Sequence, residues 1–450
     1  MSAKKVVILG AAGRDFHNFN VAFRGDPSVQ VVAFTATQIP NIARRAYPPE
    51  LSGPLYPQGV PIYPEEELEQ VIHEQGVEEA IFAYSDISHE DVMHLGSRCL
   101  AAGIDFRLMG MNRTALRSSK PVVAICATRT GSGKSQTTRR VCDILAAWGR
   151  RVAVVRHPMP YGELVRQRVQ RFANLGDLDS HECTIEEREE YEPHIERGHT
   201  VYAGVDYGAI LEQAEAEADI IVWDGGNNDL PFYWPDLHIV VVDPLRPGHE
   251  LSFHPGETNL RLANCVVVNK VDSACREDID RVRDNIAAAN PNAQVIEAAS
   301  PIAVDSPQAI RGKSVLVIED GPTLTHGGMS FGAGMIAARR FGAADIADPR
   351  PGAVGSIAAA FRRYPNLGKT LPAMGYGATQ IRELEQTIEA TDCDVIVAAT
   401  PIDLRRILHV SRPVQRVRYE LQEIGQPTLP EVLAPLARIR RRQEKDPALE

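Results

Sequence analysis

The chain has 450 residues, of which 44% are hydrophobic and 24% are charged, and its formal net charge is −11. This length exceeds what one hydrophobic core supports, so two or three domains are predicted. The negative charge argues against a nucleic-acid partner, because binding to a phosphate backbone needs a basic face. No apolar run has membrane-spanning length and no signal peptide is evident, so we expect a cytoplasmic protein with no membrane partner. Seven cysteines without a C-x-x-C pair predict reduced thiols.

The first 118 residues alternate strand and helix patterns and predict a Rossmann-like N-terminal domain. Its predicted elements are strands at 6–9, 29–34, 79–84 and 105–109 and a helix at 65–75. Dinucleotide binding is poorly supported, because Gly10-x-x-Gly13 lacks the full G-x-G-x-x-G spacing and no acid ends the second strand. Arg14 and His17 follow in a polar loop, and we consider them residues for a second ligand, with plain packing as the alternative.

The strongest signal is the stretch ATRTGSGKS from Ala127 to Ser135, which stands between an apolar run and an amphipathic run. This order predicts a strand, a glycine-rich turn and a helix, the context in which a P-loop binds the phosphates of a nucleoside triphosphate. Lys134 would reach the β- and γ-phosphates, and the hydroxyl of Ser135 would hold Mg²⁺. Thr128 stands where the first glycine of the P-loop pattern belongs. The predicted nucleotide-binding residues of the loop are Thr130, Gly131, Ser132, Gly133, Lys134, Ser135 and Gln136.

Two later runs complete the P-loop pattern. A buried run ends at Asp224, which matches the Walker B acid and predicts a second Mg²⁺ residue. A second run ends in Asn269-Lys270-Val271-Asp272, a tetrapeptide that recognises guanine in guanine-nucleotide proteins. We therefore assign Asn269, Lys270 and Asp272 to a base pocket and leave the choice between ATP and GTP open.

Near-continuous apolar runs from 119 to 325 predict a central P-loop NTPase domain with a parallel sheet buried on both faces. Its predicted strands are 122–126, 152–155, 219–223, 238–242, 264–268, 294–298 and 314–318. Ligands of such sheets collect at the carboxyl ends of the strands. Arg156 and His157 follow one strand and are our substrate-phosphate residues, together with Arg129 of the loop. Glu319 and Asp320 follow another strand and are further residues for a second ligand.

The charged stretch 162–199 predicts a solvated helix that covers one side of the site, and a lid is the alternative. Residues 326–450 predict a smaller C-terminal α/β domain. Glycine-rich loops at 327–334 and 374–377 each precede a helix, so they could offer N–H groups to an anion or serve only as tight turns.

Over essentially its whole length the chain resembles the cyclic 2,3-diphosphoglycerate synthetase family. The motifs that carry the resemblance are RTGSGKSQT at 129–137, EDGPTLTHG at 319–327, PAMGYG at 372–377 and RVRYELQ at 416–422. The central core also resembles dethiobiotin synthetase, whose phosphate loop likewise has threonine in place of the first glycine.

The resemblance implies an ATP-dependent, ADP-forming ligase that closes 2,3-diphosphoglycerate into its internal phosphoanhydride. It implies Mg²⁺, a small phosphorylated substrate, and catalytic roles for Lys134, Arg129, Arg156 and His157, and we expect a homodimer. The alternative is a GTPase of the metal-insertion or chaperone type that uses residues 269–272 for guanine. No Cys/His cluster with metal-ligand spacing supports that alternative.

Overall fold

The computed structural model of the chain describes residues 3–37, 42–157, 159, 162–226, 228–325, 330–374 and 378–443. Within these ranges the strands form three larger sheets and one two-stranded ribbon. The predicted mixed α/β fold is therefore confirmed. Among the helices of the described ranges, none has both the length and the apolar character needed to cross a membrane. All seven cysteines are free thiols, and five of them are buried.

The first sheet is Rossmann-like. Its strands and the neighbouring ribbon strand are β1 (Lys4–Leu9), β2 (Val29–Ala36), β3 (Ala46–Tyr47), β4 (Val60–Pro64), β5 (Glu79–Phe82), β6 (Ile87–Ser88) and β7 (Asp105–Leu108). The sheet has the order β3-β4-β2-β1-β5-β7, and only β3 is antiparallel to its neighbour. The helices of this region are α1 (Arg14–Asn18), α2 (Pro49–Ser52), α3 (Leu68–Gln75), α4 (His89–Ala101) and α5 (Met111–Thr114). The four predicted strands and the predicted helix are confirmed.

The second sheet has nine strands and forms the centre of the molecule. Its strands, with one ribbon strand among them, are β8 (Val122–Ala127), β9 (Val152–Arg156), β10 (Gln170–Phe172), β11 (Thr200–Ala203), β12 (Ile220–Asp224), β13 (Leu237–Val242), β14 (Phe253–His254), β15 (Cys265–Val268) and β16 (Gln294–Ala299). The helices are α6 (Lys134–Ala147), α7 (Leu175–Ser180), α8 (Ile185–Ile195), α9 (Tyr207–Glu217), α10 (Gly256–Leu262) and α11 (Arg276–Ala289). Every residue of β8, β12 and β13 is buried, as expected for parallel strands covered on both faces.

The third sheet is smaller. The strands in this part of the chain are β17 (Ile302–Val304), β18 (Ser314–Asp320), β19 (Asp345–Ile346), β20 (Leu371–Ala373), β21 (Val395–Ala399), β22 (Val414–Tyr419) and β23 (Gln422–Ile424). All of them except β23 belong to the third sheet. The helices are α12 (Gly321–Thr325), α13 (Ala333–Arg340), α14 (Gly355–Arg363), α15 (Ala378–Ala390) and α16 (Leu429–Gln443). Residues 326–329 and 375–377, which include most of the second glycine-rich loop and part of the first, lie outside the described residues.

The boundary between the central sheet and the third sheet does not lie where the sequence predicted. The prediction that 314–318 continues the central sheet is wrong, because β18 pairs with β19, β20 and β21 of the third sheet. In turn β23 returns to the central sheet and pairs antiparallel with β16. The apolar side of α16 packs into the core of that sheet through Leu429 and Leu433. The domain boundaries at 118/119 and 325/326 stay a prediction.

A short ribbon connects the first sheet to the central one. Strand β14 pairs antiparallel with β6, which joins Phe253 to Ser88 and His254 to Ile87. The ribbon brings the loop at 85–88 from the N-terminal region next to the residues that follow β13. This contact positions one acidic residue of the N-terminal region on the glycine-rich turn.

Candidate nucleotide and substrate site

The glycine-rich turn between β8 and α6 has the backbone of a phosphate-binding loop. Gly131 and Gly133 have φ angles of +82° and +107°, which favour glycine. A Cβ atom on Gly133 would lie 2.0 Å from Nδ2 of Asn269, so no other residue fits there. Helix α6 begins at Lys134 directly after this turn, and the unpaired N–H groups of its first turn therefore border it.

Side chains from neighbouring strand ends tie down the carbonyl groups of the loop. Nδ2 of Asn269 donates to the carbonyl oxygen of Ser132 at 2.9 Å, and Nζ of Lys270 donates to that of Gly131 at 2.6 Å. Nη2 of Arg246 donates to the carbonyl oxygen of Thr130 at 2.9 Å. These bonds occupy carbonyl oxygens that would otherwise repel a bound phosphate.

The predicted base-pocket residues therefore divide into two groups. Asn269 and Lys270 support the loop, and Lys270 also pairs with Asp243 at 2.9 Å. Asp272 is exposed, and its Oδ1 accepts a hydrogen bond from the N–H of Ser300 at 3.0 Å. Whether Asp272 holds a nucleotide base stays a prediction.

One cavity of about 230 Å³ joins the loop to the third sheet. Six of the seven predicted loop residues line it, and the seventh, Ser132, is buried beneath them. The lining also includes Arg156 and His157 of the central sheet and Glu319 and Asp320 of the third sheet. The structure thus brings together residues that are separated by almost two hundred positions in the sequence.

Asp224 is the electrostatic centre beside the loop. It is fully buried, and Lys134 and Arg156 pair with its two carboxylate oxygens. Nε2 of His194 lies 3.5 Å from Oδ2. Burial would raise the pKa of Asp224, but Arg156 and Lys134 together hold that pKa well below its usual range. Burial lowers the pKa of Lys134 to about 8 and that of His194 to about 4, so His194 is neutral at pH 7.

Ser135 and Asp224 offer a hydroxyl and a carboxylate at the edge of the loop. Oxygen donors of this kind suit Mg²⁺, which takes few protein ligands and completes its shell with water and nucleotide phosphates. The donor chemistry of the pair therefore suits Mg²⁺, and the metal-binding role of Ser135 and Asp224 stays a prediction. Within the described ranges, no group of three or more His, Cys, Asp or Glu residues is arranged to hold a metal ion.

Arg129 of the glycine-rich turn has an acidic and an aromatic partner. Its Nε donates to Oδ1 of Asp86 at 2.6 Å, and its guanidinium carbon lies 3.6 Å from the ring centre of Phe253. The carboxylate of Asp86 neutralises the guanidinium, so a substrate phosphate would have to displace it. Arg129 also lines the cavity, and its role in binding a substrate phosphate stays a prediction.

Asp86 is a site residue that the sequence analysis missed. It belongs to the N-terminal region, and its φ of +57° is unusual for a residue other than glycine. Its Oδ2 accepts a hydrogen bond from the N–H of Thr130 at 3.0 Å, while Oδ1 binds Arg129. The available sequence signal was weak, because Asp86 stands four residues after a strand and belongs to no recognised motif.

Arg14 and His17 do not line the cavity. Arg14 is 4% exposed, and it donates to Oδ1 of Asp229 at 3.1 Å and to the carbonyl oxygen of Leu230 at 2.7 Å. His17 is 1% exposed, lies 2.6 Å from the carbonyl oxygen of Thr114, and stacks on Phe232. The hypothesis that these two residues bind a second ligand is corrected, because the central region covers both of them.

His157 lies where these two regions meet. Its Nε2 is 3.7 Å from Oδ2 of Asp229, and a Cβ on Gly13 would overlap its ring. His157 is also one of the residues that line the cavity. His157 therefore reaches the cavity from a wall that the N-terminal loop supports.

Helix α8 is not the solvated helix that the sequence predicted. Eight of its eleven residues are buried, including Glu186, Glu187, Glu189 and Glu192. Glu186, Glu189 and Glu190 line the cavity, and Glu190 pairs with Arg156. The helix looked solvated because its composition is acidic, whereas in the structure its carboxyl groups form part of the cavity wall. A lid role stays a prediction.

Comparison with known proteins gives one relative of high similarity. The chain is 64% identical over 430 residues to a protein from Thermococcus kodakarensis named arginine synthetase ArcE, and the match covers 96% of each chain. No protein-family model matches the sequence.

Solved structures give weaker similarities. LpxK from Aquifex aeolicus, in complex with ATP, matches 77% of this chain and 95% of its own at 10% identity and a TM-score of 0.43. The hydrogenase maturation factor HypB from Archaeoglobus fulgidus matches 47% of this chain and 90% of its own at 14% identity and a TM-score of 0.27. At these scores neither similarity bears on the function of this chain.

Proposed function

The chain belongs to the family of arginine synthetase ArcE, and on this premise we propose that it is an ATP-dependent synthetase that forms arginine. The observation that carries the proposal is the 64% identity over 96% of the chain. A nucleotide at the loop would supply the energy for the bond that a synthetase makes.

The chemistry of the product defines the reaction class. The guanidinium group of arginine differs from the ureido group of citrulline by one nitrogen in place of one oxygen. Transfer of the γ-phosphoryl group to the ureido oxygen breaks its bond to ADP and turns that oxygen into a leaving group. Ammonia then forms the new C–N bond at the same carbon and gives up a proton, the C–O bond breaks, and phosphate departs. The sum is arginine, ADP and phosphate.

The residues beside the loop suit the phosphoryl-transfer half of this reaction. Lys134 and Arg156 both lie on Asp224, so two cations stand next to the position of the γ-phosphate. A nucleotide would draw Lys134 from Asp224 toward its phosphates, and positive charge fixed at the transferring group stabilises the transition state. Mg²⁺ held by Ser135 and Asp224 would neutralise further phosphate charge when bound.

The cyclic 2,3-diphosphoglycerate product that the sequence motifs implied is the second candidate. It keeps the same nucleotide site and the same release of ADP and phosphate. The cavity lining favours arginine, because Glu186, Glu189 and Asp320 would repel a substrate that carries several phosphate charges. Of the three residues predicted to bind its phosphates, Arg129 pairs with Asp86, and Arg156 pairs with Asp224 and Glu190.

Turnover by the purified chain tests the proposal. ATP and GTP are compared with citrulline plus ammonium, with 2,3-diphosphoglycerate, and with neither, while ADP or GDP and arginine are measured in the same samples. The expected result is ADP release that needs both citrulline and ammonium and that equals the arginine formed. The Lys134→Ala variant, assayed in parallel, should release no ADP above background.

Each other outcome selects a different function. ADP release that needs 2,3-diphosphoglycerate would replace the arginine proposal with the phosphoanhydride synthetase. GDP release that ignores every added substrate would favour the GTPase alternative, with residues 269–272 as its guanine pocket. The reverse direction, formation of ATP from arginine, ADP and phosphate, gives an independent check on the product.

A further inference from the structure

The lining of the cavity includes five carboxyl groups beside the cations Lys134, Arg139 and Arg156. Its carboxyl groups come from α8 and from the end of β18, and they are Glu186, Glu189, Glu190, Glu319 and Asp320. Two elements of different sheets thus supply one cluster of carboxyl groups. The phosphates of a nucleotide would be repelled by such a cluster, which leaves it for another ligand.

Two members of the cluster already have partners. Glu190 pairs with Arg156. Oε1 of Glu319 accepts hydrogen bonds from the N–H groups of Gly332 at 3.0 Å and Met335 at 2.9 Å. These two carboxyl groups therefore hold the walls of the cavity in place.

Glu189 differs from them. It is 6% exposed and borders the cavity, and its Oε1 has no hydrogen-bond partner among the described residues. It also shares a hydrogen bond with Asp320. Burial and the neighbouring Asp320 raise the pKa of Glu189 well above its usual range. Leaving a buried carboxyl oxygen without a partner is unfavourable, so the site is built for a donor that the chain does not supply.

We infer that Glu189 and Asp320 bind a cationic nitrogen group of the substrate or product. The two carboxyl groups are close enough to share a hydrogen bond, so a cation bound between them would offset their mutual repulsion. A cation with several N–H donors would satisfy their charge and the vacant Oε1 at once, whereas a phosphate would satisfy neither. The inference rests on the proposed function, which supplies two such groups.

Those two groups are the guanidinium of arginine and the ammonium ion. A guanidinium presents its N–H donors in a planar fork that matches carboxylate oxygens. An ammonium ion offers donors in all directions and would fit the same pair as a smaller guest. Bound here, either would lie in the same cavity as the nucleotide loop but on its acidic wall.

Calorimetric titration of the full chain tests this site directly. Wild type, Glu189→Gln and Asp320→Asn are titrated with L-arginine, with ammonium chloride against a sodium chloride blank, and with ADP. Glu187→Gln is the matched control, because Glu187 lies buried on the same helix but binds the N–H and hydroxyl of Thr184 at 2.8 and 3.0 Å.

We expect Glu189→Gln and Asp320→Asn to weaken arginine binding at least tenfold and to leave ADP binding within twofold, while Glu187→Gln behaves as wild type. Loss of the ammonium heat with arginine binding retained would assign the pair to the ammonium ion. Unchanged binding of both cations in both variants would overturn the site while leaving the proposed function intact. If wild type binds ammonium but no arginine, the cation site is supported and the proposal that arginine is the product is overturned. If wild type binds neither cation, both are overturned.

Discussion

The first sheet and the central sheet both end in polar loops, but the loop after β8 lines the cavity, whereas Arg14 and His17 after β1 do not. After β1, the side chain of Arg14 donates hydrogen bonds to Asp229 and Leu230, and the ring of His17 stacks on Phe232. At the end of β8, the glycine-rich turn borders open space. Parallel topology places polar residues at the carboxyl edge of both sheets, but the neighbouring region decides which edge can bind a ligand.

The edge of the first sheet also supports the edge of the central sheet. The N-terminal region closes its own edge against the central region, and from the same side it delivers Asp86 to the loop. The N-terminal region, which the sequence suggested as a second ligand-binding domain, therefore supports the glycine-rich turn of the central region. Substitutions at the closed edge should change stability, and substitutions at the open edge should change turnover.

The largest effect is expected at the open edge. Lys134→Ala should lower kcat/KM by about 10³-fold, because it removes a cation aimed at the transferring phosphate. Cooperative unfolding should persist, since Arg156 still pairs with Asp224. Steady-state assays and thermal unfolding measure both quantities, and Lys313→Ala, at an exposed lysine, is the control. Turnover near the wild-type value would remove Lys134 from the site.

The closed edge should respond in stability. Arg14→Ala leaves Asp229 as a buried charge without its cation, which should lower the free energy of unfolding by about 3 kcal/mol. KM for the nucleotide should stay within about twofold in the folded fraction. Denaturant unfolding of both single variants and of Arg14→Ala combined with Asp229→Ala gives the coupling energy. A variant of normal stability with a raised KM would return Arg14 to the list of ligand residues.

In the third sheet, the prediction concerns Glu319 at the end of β18. Burial raises the pKa of Glu319 to about 7, against an ordinary value of 4.5. Between these pH values the folded state holds a proton that the unfolded state has lost, so stability falls as pH rises from about 4.5 to 7 and is level above. Glu319→Gln keeps an acceptor for the N–H of Gly332 and should remove a pH-dependent decrease in the free energy of unfolding, on the order of 2 kcal/mol. Unfolding of both proteins at pH 5 and pH 8 measures it, and equal pH dependence would contradict the shift.

The smallest effect should appear where the two regions meet. Asp86→Asn keeps an acceptor near the N–H of Thr130 but loses the charge that pairs with Arg129, so nucleotide Kd should rise about tenfold, roughly 1.4 kcal/mol. The free energy of unfolding should fall as well, because the buried guanidinium of Arg129 loses its carboxylate partner. Titration with a fluorescent nucleotide gives Kd, and Asp91→Asn, an exposed acid of the same region, is the control. An unchanged Kd would mean that the N-terminal region does not act on the loop.

Strands, helices and the loop followed from local pattern. Runs such as 122–127 are apolar throughout, and a buried parallel strand needs nothing else to be recognised. Residues 314–320 have the same pattern, yet they pair in another sheet, because pairing partners depend on contacts that the pattern does not encode. Helix α8 was mistaken for a solvated helix because burial of four glutamates requires a wall that other segments build.

The sequence alone therefore determined the α/β class and the place of the glycine-rich turn between β8 and α6, with Lys134 and Ser135 at the start of α6 and Asp224 at the end of β12. Each of these depends on residues that are close in the chain or on a motif whose backbone geometry is fixed by its glycines. Only the tertiary structure decided that Arg14 and His17 are covered, that Asp86 holds the loop, and that Glu189 meets Asp320. Those outcomes depend on charges and surfaces brought together from distant segments, where the cost of burying a charge, and not local propensity, selects the partner.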